Sequence, residues 1–276
     1  MTAAVAVAGA IPESQPTWLG TNVFTQIRVL TLRALKTVVR DPRIIVFSVI
    51  QPLVMLALFS QIFSSIAQTP GFPAGVSYIA YLMPAILVNT AMGSAMQSGV
   101  GLVNDMRNGV LARFRSLPIA HGSVLAARSL SDLVRTAFQL LITLVFGILV
   151  FGFWPAGGIV GLLGALLLGL LLSWALGWVF LAAGAWLRNA EVMQMVGFLL
   201  MFPLMFASSS YVPVANLPAW LQAVAQVNPI THAVNAARAL TLATPVGNGV
   251  IATLAISAVL AVVGSVLAVR GFRRPL

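Results

Sequence analysis

The chain has 276 residues, of which 60% are hydrophobic and only 7% charged, and its formal net charge is +10. A soluble domain carries about a quarter charged residues, so an ordinary water-soluble enzyme is excluded, and the absence of cysteine excludes disulfides, thiolate catalysis and cysteine-held zinc or iron–sulfur centres. Every cation but Lys36 is arginine, and the cations separate long apolar blocks instead of lining one polar face, which argues against nucleic acid as a partner. The pattern is that of an all-α polytopic membrane protein.

Residues 1–20 mimic a signal peptide at Ala8-Gly9-Ala10, but no basic region precedes this point and the apolar run is short, so a disordered tail is predicted. Over 21–43, Ile27, Leu30, Ala34 and Val38 recur at helical spacing while Arg28, Lys36 and Arg40 fall off that stripe. Such a helix lies in the cytoplasmic interface with its cations on anionic lipid headgroups. Asp41-Pro42 then turns the chain into the first span.

Residues 44–104 are free of charge and too long for one helix, because about 20 apolar residues cross about 30 Å of hydrocarbon. Pro70, Gly71 and Pro73 divide them into spans at 44–64 and 79–103 joined by an outer loop. A polar loop, 104–120, follows. At the start of the third span Arg128, Asp132 and Arg135 share one helix face, and mutual pairing at the membrane margin is cheaper than leaving any of them alone. The charge-free block 136–187 breaks at Trp154-Pro155-Ala156-Gly157-Gly158, which predicts a tight hairpin between spans 130–153 and 158–187 with an interfacial tryptophan.

Span four carries small residues at every fourth position, Gly157, Gly161, Ala165, Gly169, Ser173 and Gly177, the pattern of a close helix–helix seam either within the chain or across a dimer. Gly249, Thr253, Ser257, Ala261 and Ser265 make a weaker stripe on span six, at 248–269. Arg188 and Glu191 form a local pair in the turn before span five. Span five, 192–211, presents Phe198, Met201, Phe202, Met205 and Phe206, with Ser208, Ser209 and Ser210 at its outer end and a kink expected at Pro203. Met and Phe either contact lipid and a neighbouring helix or line a path for varied apolar ligands. From Pro213 onward, Pro218, Asn228 and Pro229 make the sequence too broken for a full span.

Sorting the cations by loop leaves Arg238 alone on one side, so both termini are expected in the cytoplasm of a cell membrane protein. Catalytic constellations are lacking: His121 and His232 fall on opposite sides of the membrane, which rules out a shared metal or triad, and Lys36-Thr37 is not preceded by the glycines of a nucleotide-binding loop. The chain is therefore read as a non-enzymatic subunit with no cofactor or metal of its own.

Two segments carry a family resemblance. Residues 105–119, DMRNGVLARFRSLPI, resemble the cytoplasmic loop of ABC-2 type transporter permeases, especially the daunorubicin/doxorubicin-resistance exporter branch. Residues 212–222, VPVANLPAWLQ, followed by Asn228-Pro229-Ile230 and Arg238, are similar to the family's extracellular insertion, and Arg40-Asp41-Pro42 with Gln51-Pro52 fits its approach to the first span. The resemblance covers about 22–274.

It implies a six-helix permease working with a second copy or sister permease and two ATP-binding cassette subunits, which would hold the Mg-ATP. Within 104–120 it implies a coupling helix, with Phe114 and Leu117 as apolar anchors, Asp105, Arg113 and Arg115 as polar contacts, Gly109 relaxing the backbone and Pro118 ending it. Residues 213–240 become re-entrant helices closing the exit, with Pro213, Pro218, Trp220, Asn228, Pro229 and Arg238 at the gate, where Trp220, Leu221 and Val224 are too apolar for free solvent. The function so implied is export of amphipathic drug-like or lipid-like molecules by alternating access. Polysaccharide or glycolipid export is the alternative within the family, and an ion-coupled transporter or a membrane scaffold the alternatives outside it.

Overall fold

The structure is a computed structural model and describes residues 25, 28–29, 31–32, 42–69, 72–108, 121–272 and 274. The predicted tail 1–20, most of the interfacial segment 21–43, and Gly109, Arg113, Phe114, Arg115, Leu117 and Pro118 of the predicted coupling loop lie outside the described residues. Among the described residues there is no β-strand, and eight α-helices follow one another: α1 (Pro42–Ile62), α2 (Tyr78–Arg107), α3 (His121–Phe151), α4 (Gly158–Leu187), α5 (Ala190–Phe206), α6 (Ala219–Val227), α7 (Pro229–Leu242) and α8 (Gly249–Phe272). The α1–α2, α3–α4, α5–α6 and α7–α8 connections share one end of the bundle, the distal end; Asn216 reaches Thr69 across it, and the Gly157 amide donates to the Thr241 carbonyl at 2.8 Å. At the opposite, proximal end the chain passes from α2 to α3 and from α4 to α5.

Helices α2, α3, α4 and α8 are long and apolar enough to cross a bilayer. Helix α5 has 17 residues, and the apolar stretch described for α1 is Val49–Ile62. A 17-residue helix rises about 25 Å, at the lower limit of a span.

Helix α4 begins and ends where the charge-free block predicts. Helices α2 and α3 run further toward the proximal end than 79–103 and 130–153, because Asp105, Arg128, Asp132 and Arg135 pair with one another and remain on helix. Helix α5 stops at Phe206 instead of residue 211. Its last carbonyls, orphaned as at any helix end, are taken by side chains: the Ser208 hydroxyl donates to Met205 and the Asn228 amide to Leu204 and Ala207.

Helix α4 is the centre of the bundle and packs on α2, α3, α7 and α8. A helix turns 100° per residue, so five steps of four residues carry a stripe about 200° around its axis. The span-four stripe accordingly changes partner along its length. Cβ atoms at Gly157 and Gly161 would land on the Leu240 carbonyl of α7, whereas Ser173 donates to the Ala91 carbonyl of α2 at 2.7 Å and Gly177 faces Ser98 of α2. Between them Ala165 is buried and Gly169 lies against Leu140 of α3. The same winding corrects the stripe expected on α8, whose buried small residues after Thr253, Ser257 and Ala261 shift to Gly264, Ala268 and Gly271 instead of Ser265. A second close approach, α2 against α4, rests on Gly99 and Gly184: a Cβ at Gly184 would come 2.7 Å from the Gly99 carbonyl oxygen.

Candidate functional site

At the proximal end an ion network ties α2 to α3. Arg128 pairs with Asp105 of α2 and, at 3.5 Å, with Asp132 one turn along α3, while Arg135 reaches Asp132 at 3.4 Å. Gly101 makes room for this, since any Cβ there would overlap the Arg128 guanidinium. The Ser94 and Thr136 hydroxyls, 2.6 Å apart, continue the link toward the middle of the bundle. The expected Arg128–Asp132–Arg135 trio is thus joined by Asp105, which the family resemblance assigned to the coupling loop and which lies in the last turn of α2. Arg188, expected to pair locally with Glu191, caps α4 with φ +53° and donates to the Gly271 and Arg274 carbonyls, tying the end of α4 to the end of α8. Of the interfacial helix, Thr31 is buried with its hydroxyl donating to the Ala127 carbonyl of α3, and Val29 and Leu32 are exposed.

At the distal end two of the residues expected at the gate, Asn228 and Arg238, tie the helices together. Asn228 is buried, caps α7 by accepting from the Ile230 amide, and donates to the Leu204 and Ala207 carbonyls at 2.7 and 2.8 Å, so one amide fastens the end of α5 to the start of α7. Pro229 follows as the first residue of α7, where its missing N–H costs nothing. Arg238, on α7, donates to the Tyr81 carbonyl of α2, to the Ser209 carbonyl and to the Asn235 side chain, and lies 3.6 Å from the centroid of the Tyr81 ring. Replacing Asn228 with alanine removes the cap and strands two carbonyls, an expected loss of about 2–4 kcal/mol. Thermal unfolding in detergent checks this, with Asn228→Asp, which keeps the cap acceptor but buries an unpaired carboxylate against the two carbonyls, expected to lose at least as much.

The aromatic side chains expected on span five form a ladder. Phe198, Phe202 and Phe206 are exposed on α5 with successive ring centroids 5.5 and 4.5 Å apart, and the series continues through the buried Tyr211 at 5.4 Å to Phe59 of α1 at 4.4 Å and Phe63, just after α1, at 5.2 Å. Met201 points the other way into the core, and Met205 is half-buried between the central and distal clusters. Sequence reasoning did not place Phe59, Phe63, Tyr78, Tyr81 or Tyr211 in any site. The available signal was that all three tyrosines of the chain, Tyr78, Tyr81 and Tyr211, meet at this junction, where the Tyr78 hydroxyl donates to the Tyr211 carbonyl and the Asn89 amide to the Tyr211 hydroxyl.

The segment from Pro213 divides into a 3-10 turn at Val214–Asn216 capped by Pro213, helix α6 capped by Pro218, and helix α7. Trp220 is 69% exposed, and with Val224 and Val227 it forms an outward apolar face on α6. Trp154, in the α3–α4 connection at the same end of the bundle, is exposed as well, and tryptophan is enriched at membrane–water interfaces.

The model of the family described as ABC-2 type transporter matches residues 25–242, most of the chain and all of the helices from α1 to α7. The chain belongs to the ABC-2 type transporter family. It is 30% identical over 192 residues to a daunorubicin resistance ABC transporter permease protein of Streptomyces coeruleorubidus, a match covering 70% of this chain and 66%, just under two thirds, of that protein. It is 24% identical over 249 residues to a probable doxorubicin resistance ABC transporter permease protein of Mycobacterium tuberculosis, covering 90% of this chain and 88% of the relative. This ABC-2 chain is a multi-pass membrane protein, and its family implies an ATP-binding cassette partner.

Proposed function

We propose that the chain is the membrane-spanning permease of an ATP-binding cassette exporter that moves amphipathic drug-like or lipid-like molecules out of the cytoplasm or the inner leaflet by alternating access. In this reading α1 and α5 complete six spans, both termini are cytoplasmic, and the proximal end faces the cytoplasm. ATP is bound and hydrolysed by two cassette subunits, and the permease pairs with a second copy or a sister chain. Residues 104–120, with Asp105, Gly109, Arg113, Phe114, Arg115, Leu117 and Pro118, carry cassette movement to α2 and α3, which the Asp105–Arg128–Asp132 network makes a single unit. Pro213, Pro218, Trp220, Asn228, Pro229 and Arg238 belong to the exit gate.

The observation that carries this reading is the aromatic ladder that runs from the exposed Phe198, Phe202 and Phe206 on α5 through the buried Tyr211 to Phe59 on α1 and Phe63 just after it. Stacked rings offer large apolar contact areas and π faces that accept flat or cationic amphiphiles without a fixed hydrogen-bond pattern. The two named relatives, both drug-resistance permeases, support the same substrate class. In inside-out vesicles containing the cassette partner, Phe202→Ala/Phe206→Ala is expected to cut ATP-driven uptake of an amphipathic cationic dye by about tenfold, the effect of losing two ring contacts of roughly 0.5–1.5 kcal/mol each. Phe138→Ala, exposed on α3 away from the ladder, is the control. Equal loss in both, or in neither, overturns the assignment of the ladder to the substrate path.

A further inference from the structure

Arg238 is buried, 7% exposed, at the distal end, and none of the ion pairs among the described residues includes it. The sequence explains why: no Asp or Glu follows Glu191. Asp105 and Asp132 lie at the other end of the bundle, and Glu191 starts α5, whose far end meets Arg238. The cation is held by two backbone carbonyls, the Asn235 side chain and the Tyr81 ring, which supply dipoles but no charge. Three of the five N–H donors of a guanidinium are thereby engaged. Buried charges are ordinarily paired, because desolvation of an unpaired ion costs several kcal/mol.

Beside this side chain lies a cavity of about 380 Å³ between α7, the α1–α2 connection and the α7–α8 connection. Arg238, Asn235 and His232 line it on the polar side, and Val76, Leu242 and Val246 make its apolar wall. The volume falls within the range of small-ligand sites. No carboxylate lines it. A concave site with a buried, uncompensated arginine, a histidine and an amide on one wall and aliphatic side chains on the other fits an oxyanion attached to an apolar body. It also sits at the end of the bundle where Trp154 and Trp220 are exposed, the level of lipid headgroups.

We propose that this cavity binds a phosphate-type anion, from a lipid headgroup or from free phosphate, and that Arg238 is its counter-ion. The bound anion supplies the negative charge that the described residues lack at this end and steadies the α2–α7 junction through Tyr81 and Ser209. The inference is independent of what the protein transports.

Asn235 offers an isosteric test. Its Oδ1 accepts from both Arg238 and Ser209, so Asn235→Asp keeps those bonds and places a built-in carboxylate on Arg238. The full chain purified in mild detergent is titrated with phosphatidylglycerol, phosphatidylcholine serving as the zwitterionic comparison, and separately with inorganic phosphate. Bound lipid is counted by native mass spectrometry, and thermal unfolding is followed in parallel. The wild type is expected to hold one phosphatidylglycerol more tightly than Asn235→Asp and Arg238→Gln do, by about tenfold to hundredfold, the range of a charge-assisted hydrogen bond, and Asn235→Asp is expected to melt higher than the lipid-free wild type. Saturable stabilisation of the wild type by inorganic phosphate, absent in Asn235→Asp, identifies free phosphate as a source; retention of the lipid without any phosphate effect identifies the headgroup. Equal lipid retention and equal phosphate response in wild type and Asn235→Asp overturn the proposal, whatever Arg238→Gln does to folding.

Discussion

Gly161→Leu is expected to leave almost no folded protein in the membrane, and even Gly161→Ala to destabilise it by about 1–3 kcal/mol. At this position a Cβ would overlap the Leu240 carbonyl oxygen, a backbone atom of α7 that no rotamer change can move aside. Overpacking of a tight contact costs about 1–3 kcal/mol, and pushing α7 away also strains the Gly157–Thr241 backbone hydrogen bond, worth about 1 kcal/mol more. Against this, alanine gains up to about 1 kcal/mol in helix propensity over glycine, so the steric term decides the sign. Gly93→Ala on α2 is the control: a Cβ there meets nothing within 4 Å, and the variant is expected to be neutral or more stable. Size-exclusion profiles and melting temperatures of the purified variants check both. A Gly161→Ala protein as stable as Gly93→Ala would show that α7 does not pack on α4 at this distance.

The second large effect is functional. Phe114→Ala/Arg115→Ala is expected to insert and fold like the wild type yet lose ATP-driven transport. Two anchors lost from a docking surface, at about 2 kcal/mol each, weaken cassette binding by roughly a thousandfold. Co-purification of the tagged permease with its ATP-binding subunit, together with dye uptake in inside-out vesicles, reads the two halves of this expectation. Unchanged efflux refutes the coupling role of residues 104–120. Folding is not expected to suffer, because the ion pairs that join α2 to α3 belong to Asp105, Arg128, Asp132 and Arg135 and are untouched by the substitution.

Helix placement was legible wherever one chemical rule governed a segment. Charge-free runs and the Pro155-Ala156-Gly157-Gly158 break located α4 to the residue, because desolvation of an ion sets the limits of a span regardless of tertiary context. Where charges pair, that rule loses its force: α2 and α3 continue past the last apolar residue because Asp105 and Arg128, 23 positions apart, neutralise each other. The end of α5 was misjudged for a related reason. The charge-free run continues through Ser208–Ser210 to Tyr211 and Val212, but the Asn228 amide, contributed from beyond α6, terminates the helix by taking its carbonyls.

The span-four stripe was correctly recognised as small residues in one series, but a step of four on a helix of 3.6 residues per turn winds around the axis. The series therefore meets α7 at Gly161 and α2 at Ser173, a change of partner that spacing alone does not contain. Trp220 is exposed on α6, a position compatible with its apolarity where lipid and not water faces the ring.

Composition and linear pattern were enough to establish a helical membrane protein, its hairpin breaks and its charge asymmetry, because each follows from transfer free energies summed along neighbouring residues, while the family resemblance rested on the motifs of 105–119 and 212–238. The convergence of Tyr78, Tyr81, Tyr211 and Arg238, the joining of α5 to α7 by Asn228 and the cavity beside α7 were decided only by the tertiary structure. Each depends on side chains far apart in the chain meeting within hydrogen-bond distance, and helix packing, not local sequence, sets those distances.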